Sequence, residues 1–256
     1  MPDLSPDQIR EDEQREAAIA ERAFVARQRK ARDMLARSLP QQHRQSKLAN
    51  FTFHGTKAEW DRQRHVRDGL VDICRDVRQF VALRGQLFLW GTVGTGKDHL
   101  LVACAKAAAM QGITCRFLEG EAFYSDYLVG DDRQAAIGFA VEPHVLVLSD
   151  PVSTRQWTEG RQLALRRLVN ARWNLGRPTW VSCNVPSLTS SGSRPRQDFH
   201  DRMAGKADQS LSAEDLFGAD TLSRLMDGGV VYECRWPDYR LRRQQVIANT
   251  NRKGNQ

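Results

Sequence analysis

The chain has 256 residues, 41% of them hydrophobic and 27% charged, with a formal net charge of +7 and a pI near 9.4. That is apolar material for one large α/β domain plus an extension. No apolar run is long enough to span a bilayer, and the basic balance suits a polyanionic partner such as nucleic acid.

Further exclusions follow from the cysteines and histidines. Cys74, Cys104, Cys115, Cys183 and Cys234 are widely spaced and form no CxxC pair, and the six histidines show no ligand spacing. This argues against disulfides and zinc and for reduced thiols. The N-terminus is acidic and polar, without a secretory signal, so a cytoplasmic protein is expected.

From Pro6 to about Leu39 the chain is rich in Ala, Glu, Gln and Arg, a composition that favours helix. Ile19, Ala23, Phe24, Ala31, Met34 and Leu35 make a thin apolar stripe, too narrow for a core of its own. Such a helix either docks on a partner or packs on its own domain. Pro40–Ser46 reads as a linker. Residues 1–47 are therefore expected to be a helical segment with its linker, and residues 48–256 a folded domain. Phe51-Thr52-Phe53 opens that domain, and helical periodicity carries Trp60, Val66, Leu70, Ile73, Val77 and Phe80 toward its first core strand.

Leu87–Trp90 is an apolar strand that runs into Gly91-Thr92-Val93-Gly94-Thr95-Gly96-Lys97-Asp98-His99. An Ala- and Leu-rich helix follows, from Leu100 to Met110. Strand, glycine-rich loop, lysine and helix are the setting of a phosphate-binding P-loop. The glycines permit backbone angles that a side chain would block, and the loop amides with the helix N-terminus make an anion site. Lys97 is suited to reach β- and γ-phosphates. The run from Gly91 to His99 is therefore the candidate nucleotide site. One position departs from the pattern: the hydroxyl expected after the lysine, a Mg²⁺ ligand, is the carboxylate of Asp98.

Beyond Gly112, Ile113–Leu118 reads as a second strand and Glu121 to Leu128 as a helix ended by Gly130-Asp131-Asp132. Phe123, Tyr124 and Tyr127 are read as core aromatics. Val145–Leu148 is a fully buried strand. It ends in Ser149-Asp150, where two acids are expected to help hold a metal. Ser149 stands for the first acid and Asp150 for the second. The departures at 98 and 149 are reciprocal, carboxylate for hydroxyl and hydroxyl for carboxylate. Mg²⁺ needs oxygens whichever loop supplies them. The expected metal set is Asp98, Ser149 and Asp150; the alternative is a decayed site.

Arg161 to Leu175 is helical. Thr179–Asn184 is a strand with Asn184 at its carboxyl end, suited to contact the attacking water or to serve as a turn residue. Ser187 to Lys206 reads as an exposed loop bearing Arg194, Arg196 and Arg202. Leu216 to Met226 is helix and Val230–Cys234 the last strand, followed by a basic tail with Arg240, Arg242, Arg243, Arg252 and Lys253. Five strands alternating with helices predict an α/β fold, a mainly parallel five-stranded sheet with helices on both faces. The P-loop, Ser149-Asp150 and Asn184 all fall at strand carboxyl ends, where such sheets bind ligands.

The P-loop stretch, the Asn50–Phe53 opening, the strand before Asp150, the Thr179–Asn184 strand and the ending Trp236-Pro237-Asp238-Tyr239-Arg240-Leu241-Arg242 together resemble the DnaC/IstB group of AAA+ ATPases. These are bacterial helicase loaders and transposition helper ATPases. The resemblance runs from about Phe51 to Arg243. It implies a three-layer αβα AAA+ domain without a large lid, ATP and Mg²⁺ as ligands, and weak ATPase activity. By the same resemblance Asn184 matches the sensor 1 position, Arg224 the arginine offered to a neighbour's ATP, and Arg240 the sensor 2 arginine. Asp150 would be a metal ligand or the catalytic base. An arginine acting in trans requires self-association.

The implied partners are the hexameric replicative helicase, gripped by the N-terminal helix, and single-stranded DNA in a basic, aromatic-lined groove. An IstB-like transposition helper is the alternative, but its N-terminal region is usually a longer folded module. A third reading is a non-hydrolysing AAA+ scaffold, because Ser149 departs from the group at the metal site.

Overall fold

A computed structural model describes residues 6–152, 157–189 and 211–241. The loop arginines Arg194, Arg196 and Arg202 and the tail residues Arg242, Arg243, Arg252 and Lys253 lie outside them.

Strands β1 (Leu87–Gly91), β3 (Val145–Ser149) and β4 (Thr179–Cys183) are buried at every position. Near-continuous burial is what parallel strands covered on both faces require. With β2 (Cys115–Glu119) and β5 (Val230–Cys234) they form one sheet in the order β2-β3-β4-β1-β5. Every pair is parallel, so the predicted mainly parallel sheet is wholly so.

Side chains alternate across the sheet. Leu87, Leu89, Val145, Val147 and Trp180 enter one core, built with α1 (Pro6–Ser38), α2 (Lys57–Arg75), α3 (Val77–Ala82) and α4 (Lys97–Met110). Phe88, Trp90, Leu146, Leu148 and Val181 enter the other. That second core is closed by α5 (Gly120–Tyr124), α6 (Arg133–Val141), α7 (Glu159–Asn174), α8 (Ala213–Phe217) and α9 (Ala219–Met226). These are the three predicted layers.

The C-terminal part of α1 joins the core. Ala31, Leu35 and then Leu39 are buried, and Ser38 Oγ accepts a hydrogen bond from Phe117 N–H of the edge strand β2 at 3.0 Å. Toward the N-terminus, Ile19 is 60% and Val25 55% exposed. Helix α2 starts at a reciprocal cap: Thr56 N–H donates to the Glu59 carboxylate at 2.6 Å and Glu59 N–H to Thr56 Oγ1 at 3.4 Å, a device worth about 1 kcal/mol.

Several expected boundaries shift. Strand β2 begins at Cys115, not Ile113, because Ile113 N–H still closes the end of α4 on Ala108 O at 3.1 Å. The helix expected over Glu121 to Leu128 is α5 continued by a π-turn at Ser125–Val129. Helix α6 arises where the sequence shows only a break signal, since the Asp132 carboxylate caps Gln134 and Ala135 N–H at 2.9 Å each. Gly218, at φ 79°, splits the expected Leu216–Met226 helix into α8 and α9. Trp60, expected in the core, is exposed, whereas Phe123, Tyr124 and Tyr127 are buried as expected. All five cysteines are free thiols. No helix among the described residues is long and apolar enough to cross a membrane.

Candidate nucleotide site

The P-loop lies between the end of β1 and the first turn of α4. Gly96 caps α4 at φ 84°, and the Phe51 ring packs so closely on it that a Cβ there would sit 2.8 Å from the ring. Lys97, the first residue of α4, is buried. Its Nζ turns into the loop and donates to Thr92 O at 2.6 Å and Thr95 Oγ1 at 3.3 Å. Burial pushes its pKa down. The loop thus gathers a buried ammonium and a helix N-terminus at one point, the electrostatics of an anion cradle. His99 serves another contact: its Nε2 lies 2.9 Å from Lys47 O and its ring 5.8 Å from Phe51. Thr92 and Val93 are exposed at the tip.

Asp98 faces β4. Its carboxylate accepts a hydrogen bond from Ser182 Oγ. Ser182 pairs in register with Ser149 of β3. The period of two that sends Val147 and Trp180 toward α4 sends Ser149 and Ser182 to that same side. Asp98, Ser149 and Ser182 therefore share the face of the sheet under the P-loop helix. Ser182 was missed in the sequence; a polar residue in an apolar strand, two positions before Asn184, was the available signal.

Asp150 follows β3 in a left-handed conformation, φ 44°, which Asp tolerates better than most residues. Its N–H donates to Ser182 O at 2.8 Å, and its Oδ1 accepts from Asn184 N–H at 3.3 Å. Asp150 reaches solvent, yet the protein crowding its carboxyl raises its pKa. Hydrogen bonds from Asn184 and the charge of Lys97 oppose that rise, and the charge of Asp98 adds to it. The structure so brings Lys97, Asp98, Ser149, Asp150 and Asn184 to one edge of the sheet.

The chain leaving β5 returns to the loop. Trp236 Nε1 donates to Thr95 O at 2.9 Å, Thr92 Oγ1 to Trp236 O at 3.2 Å, and Tyr239 N–H to Gly94 O at 3.0 Å. Arg240 pairs with Asp238, Nε to Oδ1 and Nη2 to Oδ2, both at 3.1 Å. Arg224 lies elsewhere. In the last turn of α9, on the sheet face opposite α4, it donates to Asn170 Oδ1 and sits 5.5 Å from the centre of the Trp173 ring.

No family model matches this chain, and no curated protein matches it in sequence. The similarity lies in the fold. The chain superposes on the DnaC helicase loader with a TM-score of 0.55 at 17% identity, covering 77% of this chain and 100% of that one. DnaI gives 0.51 at 16% identity, covering 78% and 93%. The replication initiator DnaA bound to AMPPCP and single-stranded DNA gives 0.51 at 18%, covering 76% of this chain and 51% of that one. A wholly parallel sheet in the order β2-β3-β4-β1-β5, with the P-loop after β1 and helices on both faces, is the three-layer fold of the AAA+ class. Within that class, the fold is DnaC-like.

Proposed function

We propose that this protein is an ATP-binding AAA+ protein of DNA replication, a DnaC-like loader of the replicative helicase onto single-stranded DNA. The observation that carries the reading is the convergence of Lys97, Asp98, Asp150 and Asn184 on one sheet edge in a DnaC-like fold.

The residues fit a nucleoside triphosphate. Glycines stand where loop and neighbours meet too closely for a side chain, and Lys97 can exchange the Thr92 carbonyl for phosphate oxygens. They also fit Mg²⁺, which favours one or two carboxylates plus phosphates. Asp98 and Asp150 would supply the carboxylates and Ser149 a hydroxyl. The ion, when bound, would neutralise charge on the β- and γ-phosphates. Asp150, held to Asn184 and raised in pKa, is suited to orient an attacking water, and Asn184 to contact the γ-phosphate. Ser149, a hydroxyl where the group has an acid, supports slow turnover.

Arg224, which contacts its own Asn170 and Trp173, would have to leave them to reach a neighbouring subunit's ATP in an AAA+ oligomer, and that role rests on the family resemblance. The exposed stretch of α1 around Ile19 and Val25 is the surface proposed for the hexameric helicase. The net charge of +7 suits single-stranded DNA.

The test is a pull-down of the replicative helicase with the full chain and with Ile19→Asp/Val25→Asp, alongside binding to single-stranded and duplex DNA. Helicase capture lost in the double variant, with preference for single strands, supports the loader. Duplex preference without helicase capture overturns it in favour of the transposition helper.

A further inference from the structure

The middle glycine of the loop has an unusual neighbour. Gly94 stands at φ 75°, and a Cβ there would collide with the carboxyl group of Asp238. Three hydrogen bonds, from Trp236 Nε1, Thr92 Oγ1 and Tyr239 N–H, already pin the Trp236–Tyr239 segment to the loop. The segment's position therefore does not need the Asp238 charge. That carboxylate lies against an anion cradle, where a negative group is the worst rival for phosphate. Its two oxygens instead take the fork of Arg240, both contacts at 3.1 Å, and one also accepts Arg240 N–H at 2.8 Å. The Arg240 side chain is 65% exposed and that of Asp238 only 22%.

We infer that Asp238 is a built-in anion competitor at the nucleotide site. It holds Arg240 at the rim of the P-loop and contests the ground beside Gly94, so that binding phosphate transfers Arg240 from Asp238 to the nucleotide. The inference rests on the nucleotide-binding reading. Arg240 holds the Asp238 pKa below the usual carboxylate range, so the rival charge persists at neutral pH. A bidentate arginine can serve a carboxylate or a phosphate with the same fork. The consequence is a site whose affinity is set by an exchange of anions on one arginine, which favours rapid release of nucleotide.

The experiment titrates the full chain with mant-ATP and mant-ADP, with adenosine as a competitor, at low and high salt. Asp238→Asn keeps the shape and removes the charge. It is expected to tighten mant-ATP about tenfold at low salt, mant-ADP less and adenosine not at all, with the gain shrinking at high salt. Asp238→Glu should restore the weaker, salt-sensitive binding. Arg240→Gln should weaken mant-ATP, and its effect should be non-additive with Asp238→Asn. If Asp238→Asn binds mant-ATP no more tightly than the parent, or tightens adenosine equally, the inference is overturned while nucleotide binding stands. If no variant binds and the parent does not, both fall together.

Discussion

Ser182 donates its hydroxyl to the Asp98 carboxylate and so ties β4, the strand between β1 and β3, to the first turn of the P-loop helix. The residue that departs from the P-loop pattern is thus held by a residue outside the loop. Hydrogen bonds to charged groups contribute about 1.5–3 kcal/mol. Ser182→Ala is expected to lower stability in urea by that amount and to weaken Mg-ATP. Unchanged stability would mean that the contact does not hold Asp98.

The reciprocal departures at 98 and 149 predict a rescue. Asp98→Thr alone should weaken Mg-ATP binding, and Asp98→Thr with Ser149→Asp should restore it, because Ser149 and Ser182 are neighbours in register under α4. Isothermal titration with and without Mg²⁺ reads both. Stronger binding by the single variant would reject an exchange of ligands.

Arg172 is fully buried. Its guanidinium donates to Thr179 Oγ1 at 3.0 Å, Ala140 O at 2.9 Å, Pro143 O at 3.1 Å, His144 O at 2.9 Å and Pro178 O at 2.6 Å. One side chain thereby fastens α7, the turn after α6 and the start of β4. Burial lowers its pKa to about 9. Arg172→Met would orphan those carbonyls, and a loss of about 3–5 kcal/mol is expected in chemical denaturation. A loss under about 1 kcal/mol would contradict the role.

Asp150 carries a raised pKa. For a carboxyl raised on folding, the folded state resists ionisation, so the penalty is absent below the ordinary carboxylate range and grows as pH rises through the raised value. Asp150→Asn removes that penalty and keeps a residue that tolerates positive φ. Its melting temperature should exceed the parent's at neutral pH, and the two should converge as pH falls toward 4, near the ordinary Asp value. A constant gap across that range would assign the effect to packing.

Much of the fold was readable because its signals are strong and local. The three buried strands are short apolar runs, and Gly91, Gly94, Gly96 and Lys97 fix where the first of them ends. The rest depended on tertiary context. Asp132 has the chemistry of a cap and of a break, and only the packed α6 decides between them. Gly218 splits a periodic stretch whose apolar spacing hides the break. Ser182 was hidden because a strand buried on both faces loses the alternation that marks its inner side. Asp238 sits in the Trp236–Arg242 ending, which was read for its arginine, and its meaning lies in a contact with Gly94, over 140 residues earlier in the chain.

The most direct test of the account is a titration of ATP into the purified full chain, with and without Mg²⁺, beside Lys97→Ala. Saturable, Mg²⁺-dependent binding that disappears in Lys97→Ala is the predicted result. Equal binding by parent and Lys97→Ala, or no binding by either, would contradict a nucleotide site at this loop.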